Sequence, residues 1–379
     1  MLRLQTPLAE RYTAAPPDAL ASRIGAAKAA LGERLFILGH HYQRDEIIRW
    51  ADARGDSYRL SVLAQQRPQA SYIVFCGVHF MAESADILTA DHQTVILPDL
   101  NAGCSMADMA DIDEVEEAWE ALSGIVDVDR VVPITYMNSS AAIKAFVGRH
   151  GGAVCTSTNA RAVLEWALGA GGPAERQSGS RGTGRGDQVL FFPDQHLGRN
   201  TGIAMGYGLD DMRVWDPRRD LGGLTEQECK ESTFLLWRGH CSIHQRFRPE
   251  HIEAFRAEHP DGIVVVHPEC PHETVTLADQ VGSTDYIIRA LADAPAGSTI
   301  AVGTEVHLTN RLAHEHPDKT VVSLDPIVCP CSTMNRIDEP HLAWVLDELV
   351  AGRVVNPIRV DAETAEWARV ALQRMLDIT

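Results

Sequence analysis

The chain has 379 residues, 34 of them basic and 52 acidic, for a formal net charge of −18. That length suits two or three domains around a large core. The acidic field disfavours nucleic acid and anionic membranes as partners, while a small anionic substrate held by local donors stays compatible with it. No run approaches the roughly 20 apolar residues of a membrane span. The N-terminal MLRLQTPLAERYTAAPP is polar and broken by prolines, without the apolar centre of a secretory signal. A cytoplasmic location is the expectation.

In chain order, apolar β-rich runs fall at residues 35–42, 71–78, 94–100, 131–137, 152–158, 188–194, 262–269, 284–288, 299–305 and 320–326. Their continuous apolar character predicts strands covered on both faces, as in parallel sheets. Amphipathic stretches alternate with them, which is an α/β pattern. A helix is predicted at 161–168. Another follows residue 341, where Leu342, Val345, Leu346 and Leu349 share a face and Gly352 is the stop. The Gly-, Ser- and Arg-rich stretch 169–187 reads as a surface insertion.

The strands group into three units, each opening with a strand that empties into polar residues: GHHY (39–42), TYMN (135–138) and HPEC (267–270). Each unit later delivers a cysteine flanked by glycine, proline or serine: AGCSMAD (102–108), WRGHCSIH (237–244) and CPCSTM (329–334). This is a functional periodicity without visible repetition of sequence. The expected domains are 20–112, 113–245 and 246–340, with C-terminal helices at 341–379. Ligands collect outside the carboxyl ends of parallel strands, so three such ends could share one site.

Eight cysteines without a secretory signal or a CxxC pair favour neither a disulfide framework nor a zinc ribbon. Cys104, Cys241 and Cys331 lie in loops after strands, beside small residues that let a bulky inorganic group approach. Three thiolates from distant segments suit an iron–sulfur cluster better than zinc, and leave one iron open as a Lewis acid. Buried, unrelated thiols are the alternative.

Polar donors gather at the same strand ends. His40 and Tyr42 follow the first strand and Ser57 opens a helix; Tyr136 and Asn138 follow another strand; Ser157, Ser283 and Thr284 close further turns. Hydroxyls at helix starts build anion sites, although each could equally be an ordinary N-cap. His267 and Glu269 alternate along a strand end and so point the same way. They make an acid–base pair in which a desolvated glutamate is tuned upward; a hydrogen bond that only orders the loop is the bland alternative. His240 and His244, beside Cys241, stay outside this core set.

These residues resemble the quinolinate synthases, iron–sulfur enzymes of NAD biosynthesis. The resemblance rests on GHHYQRDEI (39–47), FCGVHFMAESADIL (75–88), PDLNAGCSMADM (98–109), TYMNSSAAIKA (135–145), CTSTNA (155–160), FFPDQHLGRN (191–200), WRGHCSIH, HPECPHETVTLADQVGST and CPCSTMNRI, in order over roughly residues 35–340. It implies three pseudo-threefold-related, three-layer α/β domains with parallel sheets around a central active site. It also implies a [4Fe-4S] cluster on Cys104, Cys241 and Cys331, where Cys331-Ser332-Thr333-Met334 fits the family's C-x-x-M pattern and Cys329 does not.

The resemblance places iminoaspartate contacts at His40, Ser57, Tyr136, Asn138, Ser157, His267, Glu269 and Thr284, and implies proton transfer by Glu269, His267 and Tyr42. The implied reaction condenses iminoaspartate with dihydroxyacetone phosphate to give quinolinate. The imine would come from an aspartate-oxidising enzyme. His41 and the long 169–187 insertion depart from the commonest pattern without touching a ligand position. Competing readings are another [4Fe-4S] hydro-lyase acting on a small carboxylic acid, an iron sensor, and a zinc hydrolase; the last lacks His-rich ligand spacing.

Overall fold

The computed structural model describes residues 5–169 and 185–378. The first of its three sheets joins β1 (Leu35–His40), β2 (Ala53–Gly55), β3 (Tyr72–Cys76) and β4 (Thr94–Ile96) in the order β4-β3-β1-β2. The second joins β5 (Val131–Tyr136), β6 (Ala153–Cys155), β7 (Gln188–Phe192), β8 (Met212–Trp215) and β9 (Phe234–Trp237) as β6-β5-β7-β9-β8. The third joins β10 (Ile263–Val266), β11 (Gln280–Val281), β12 (Thr299–Gly303) and β13 (Thr320–Ser323) as β11-β10-β12-β13. All these pairings are parallel. Only β14 (Pro357–Ile358), added beside β4, runs antiparallel. The α/β class with parallel sheets is therefore observed, and strands such as β1, β5 and β7 are buried at every residue, as their unbroken apolar character requires.

One local topology recurs three times: the first strand of each sheet lies between the second and the third. Sequence repetition, not expected from the motifs, accompanies it. ADARGDS (51–57) and ADQVGST (278–284) occupy the same place in the first and third sheets. Asp52 accepts the amide of Ile37 at 2.8 Å and donates its own to the Ile37 carbonyl at 2.8 Å. Asp279 does the same with Val264, at 2.8 and 3.0 Å.

In the second sheet the equivalent strand residue is Pro133, which has no N–H for a carboxylate to accept. Gly152 stands where the aspartates stand, and a methyl group there would overlap the Pro133 carbonyl. Gly152→Ala should destabilise the chain by at least about 1–3 kcal/mol, the usual cost of overpacking a core. The denaturation midpoint measures this, and an unchanged midpoint would contradict the account.

Residues 284–288, expected as a strand, begin a helix, Thr284–Asp293. Ser283 caps it by accepting the Tyr286 amide, and Ile287 and Leu291 bury one face at helical spacing. The short window held β-formers but hid that period. Helices are found where predicted at Ala160–Leu168 and Glu339–Val350, with Leu342, Val345, Leu346 and Leu349 buried and Gly352 at φ +77° beyond the end. Of the insertion at 169–187, residues 170–184 lie outside the described residues. Among the described residues no helix is long and apolar enough to cross a membrane.

The contacts divide the chain into two compact units. One runs to Cys104 and takes in Glu305–Arg311 and Cys329–Asp361; it holds the first sheet. Within it, Glu339–Val350 packs on the helix Pro17–Leu31, where Asp347 accepts from Tyr12 (3.0 Å) and Arg23 (2.6 Å). The other unit holds Ser105–Thr304, Leu312–Val328 and the chain from Ala362 onward, with the second and third sheets. Its helix Ala362–Asp377 packs on Ala141–Arg149.

Also in this second unit, His196 is buried with Nε2 2.7 Å from Gln245 Oε1, and burial holds its pKa down at about 4. Below about pH 6.5 the unfolded chain takes up a proton that the folded chain refuses. Stability should therefore fall as pH drops from 6.5 towards 4, by about 2 kcal/mol at pH 5 from this group. Urea midpoints at pH 7 and pH 5 test this, and His196→Gln should flatten the difference.

Candidate active site

The twelve residues selected from the sequence occupy four structurally equivalent places in the three repeats. At or just past the end of each first strand stand His40, Tyr136 and His267. Two residues further on come Tyr42, Asn138 and Glu269. Two residues past the partners of the first group lie Ser57, Ser157 and Thr284. After the last strands come Cys104, Cys241 and Cys331. In the first and third repeats the helix caps are Asp56 and Ser283, so Ser57 and Thr284 are first helical residues and not the capping groups.

His40 and His267 share a local device. The Tyr42 amide donates to His40 Nδ1 at 3.1 Å, and the Glu269 amide donates to His267 Nδ1 at 3.3 Å. An Nδ1 that accepts leaves the proton of a neutral imidazole on Nε2. Burial, with His244 alongside, holds the His267 pKa down at about 3, so this ring is neutral and its contact with Glu269 is no ion pair. His267 and Glu269 meet through a turn, closed by the Cys270 amide on the His267 carbonyl at 3.0 Å, and not through strand alternation.

Glu269 is buried and fully engaged within the second unit. The Tyr136 hydroxyl donates to Oε1 at 2.6 Å, and His244 sets Nδ1 3.0 Å from Oε2. His244 also places Nε2 3.1 Å from the Thr304 hydroxyl and stacks on His267 with ring centroids 4.4 Å apart. Burial pushes the Glu269 carboxyl up, but His244 and the Tyr136 O–H outweigh it and leave the group well below the usual carboxylate range. The expected upward tuning is therefore not found. At neutral pH Glu269 is a carboxylate, a proton acceptor held in place by two donors.

The cysteines separate into two kinds. Cys76, Cys155 and Cys270 are buried, and burial pushes the Cys76 thiol up to about 12 and the other two upward as well; none suits a thiolate ligand. Cys104, Cys241 and Cys331 are half-buried and each begins a Cys-Ser loop. A 3₁₀ turn follows each at the same offset: Ala107–Met109, His244–Arg246 and Met334–Arg336. Cys329 is exposed and starts no such turn.

The residue five positions past each of the three cysteines is anchored near the segment preceding another. The Met109 carbonyl accepts from Trp237 Nε1 at 2.6 Å, Arg246 binds Asp325 at 2.9 Å, and Arg336 binds Asp99 at 2.8 Å. Each of the three thiols is half-exposed in a matched, braced loop, a setting that suits a thiolate ligand. Donor atoms of Cys241, His244 and Glu269 also lie within 4.8 Å of one another. A single ion there would have to displace the hydrogen bonds that already fill His244 and Glu269.

Residues 22–377 match the family described as Quinolinate synthetase A protein. The chain belongs to that family. The quinolinate synthase of Nocardioides sp. is 57% identical over 96% of this chain and 90% of its own length. Those of Corynebacterium glutamicum and Streptomyces coelicolor are 56% and 53% identical, covering 99% and 95% of this chain and 91% and 88% of their own lengths. Like them, the chain is an enzyme of the quinolinate synthase family.

Sequence reasoning passed over His244, which the structure places against Glu269, His267 and Thr304. Its signal was the repeat itself. His244 stands third after Cys241, where Met334 stands after Cys331, and a polar residue at an otherwise apolar place marks a difference of role.

Proposed function

We propose that the chain condenses iminoaspartate with dihydroxyacetone phosphate to give quinolinate, phosphate and two waters, with a [4Fe-4S] cluster on Cys104, Cys241 and Cys331. The observation that carries this reading is the threefold recurrence of a Cys-Ser-3₁₀ loop in a frame that also presents the strand-end donors. When bound, such a cluster supplies an open iron as a Lewis acid for loss of hydroxyl as water.

The chain's own groups divide the remaining work. Glu269 is the general base for proton abstraction during enolisation and ring closure, because it is ionised and fixed by Tyr136 and His244. Neutral His267 offers Nε2–H as a donor to a substrate oxygen, and the matching amide contact gives a neutral His40 the same orientation. Ser57, Ser157, Thr284 and Asn138 hold carboxylates in register, which supports the reaction by orientation, and Tyr136 serves the site through Glu269, to which its one O–H is given. Tyr42, whose ring lies edge-on to His40 at 4.8 Å, is a further proton carrier. An aspartate-oxidising enzyme supplies the imine, and the setting is the cytoplasm and the biosynthesis of NAD.

The test is anaerobic reconstitution with iron and sulfide, followed by assay of quinolinate from both substrates. Quinolinate at about four irons per chain supports the reading. A loaded chain that makes none would point to another hydro-lyase or to a sensor. A chain that takes up no cluster would overturn it.

A further inference from the structure

The three cysteine loops are not held alike. In the first repeat the amide of His79, which follows β3, donates to the carbonyl of Ala102, two residues before Cys104, at 2.8 Å. In the second the equivalent Gln195 amide donates to Gly239, two residues before Cys241, at 3.0 Å. The third repeat would need the same bond from Val306 to Cys329, and among the described residues no such bond is made.

A side chain occupies that role. Glu305, fully buried after β12, stands where Val78 and Asp194 stand in the other repeats. Its Oε2 accepts the His307 amide at 2.7 Å at the start of the helix Val306–Glu315. Its Oε1 reaches the backbone amide of Cys331 itself at 3.2 Å. Asp194 is one methylene shorter. It accepts the amides of His196 and Leu197 at 2.7 and 2.8 Å and also faces the Cys241 amide, so the second loop has a side-chain tie in addition to its backbone bridge, whereas the third has the side-chain tie alone.

We infer that Glu305 is a positioning residue for Cys331, its side-chain carboxyl group replacing the backbone bridge that fixes the other two loops. The inference rests on the cluster reading above. A side chain that ties the ligand's own amide to a helix start fixes where the thiolate points, which is how residues behind a ligand raise the affinity of a metal group. Cys331 needs such a tie more than its counterparts, because Ile327, Val328 and Cys329 before it are exposed.

The experiment compares wild type with Glu305→Ala, Glu305→Gln and, as a control for lost helix capping elsewhere, Thr225→Ala, whose hydroxyl caps Glu226–Glu231. Each is loaded anaerobically. Iron retained against a graded chelator is measured, and thermal unfolding of the apo chains is recorded separately. Glu305→Ala should lose about 10–100-fold in apparent cluster affinity. Glu305→Gln keeps one acceptor oxygen for two amides, so it should recover only part of the loss, and Thr225→Ala should retain the cluster like wild type. Equal retention by Glu305→Ala and wild type would overturn the inference alone. Equal loss by Glu305→Ala and Thr225→Ala, tracking apo stability, would overturn it as well. A wild type that takes up no cluster would overturn the parent reading and the inference together.

Discussion

Cys331→Ser should abolish cluster uptake and quinolinate formation, whereas Cys329→Ser should leave both intact. The two thiols are separated by a single proline, so composition and distance along the chain hardly distinguish them. Local architecture does. Cys331 is half-buried, opens the 3₁₀ turn Met334–Arg336, and has its amide tied to Glu305. Cys329 is exposed and shares none of these features. Iron content after anaerobic reconstitution, about four per chain for a full cluster, and product formation are the two readouts. A Cys331→Ser chain that keeps its iron while Cys329→Ser loses it would reverse the ligand assignment.

Glu269→Gln should lower kcat by about 10²–10⁴-fold, the usual contribution of a general base, with a far smaller change in KM. The substitution preserves size but leaves one oxygen for the two donors Tyr136 and His244, so the loss combines the missing charge with one hydrogen bond. Steady-state kinetics on reconstituted enzyme decide the matter. A rise in KM at constant kcat would make Glu269 a binding group and leave the base to another residue. Retained iron in the same sample separates either result from loss of the cluster.

Much of this was legible beforehand because the strands are short, unbroken apolar runs ending in chemistry. The alternation of GHHY, TYMN and HPEC with cysteine loops marked the three sheets, and parallel pairing followed from strands buried on both faces. What stayed hidden has physical causes. The strands Ala53–Gly55 and Gln280–Val281 are too short for any pattern to emerge. Thr284–Asp293 looked extended because its first residues include two adjacent isoleucines, while the serine that starts the helix lies one residue earlier. The pairing of Asp52 with Asp279 was masked in the middle repeat by Pro133 and Gly152, which solve the same packing problem without a carboxylate. The direction of the Glu269 shift depended on His244, and no spacing rule links residues 25 apart.

The recurrence of one topology has a consequence for how a ligand is read. With like side chains at every place, the three repeats would offer a ligand the same groups and nothing would tell one repeat from another. Here three of the four sets of equivalent places differ between repeats: histidine, tyrosine, histidine; tyrosine, asparagine, glutamate; serine, serine, threonine. Only the cysteines are the same in all three copies. Sameness is thus confined to the thiols, and difference to the groups that donate and accept hydrogen bonds. Three of the four stations thereby give each repeat its own chemical label, while the fourth is common to all of them.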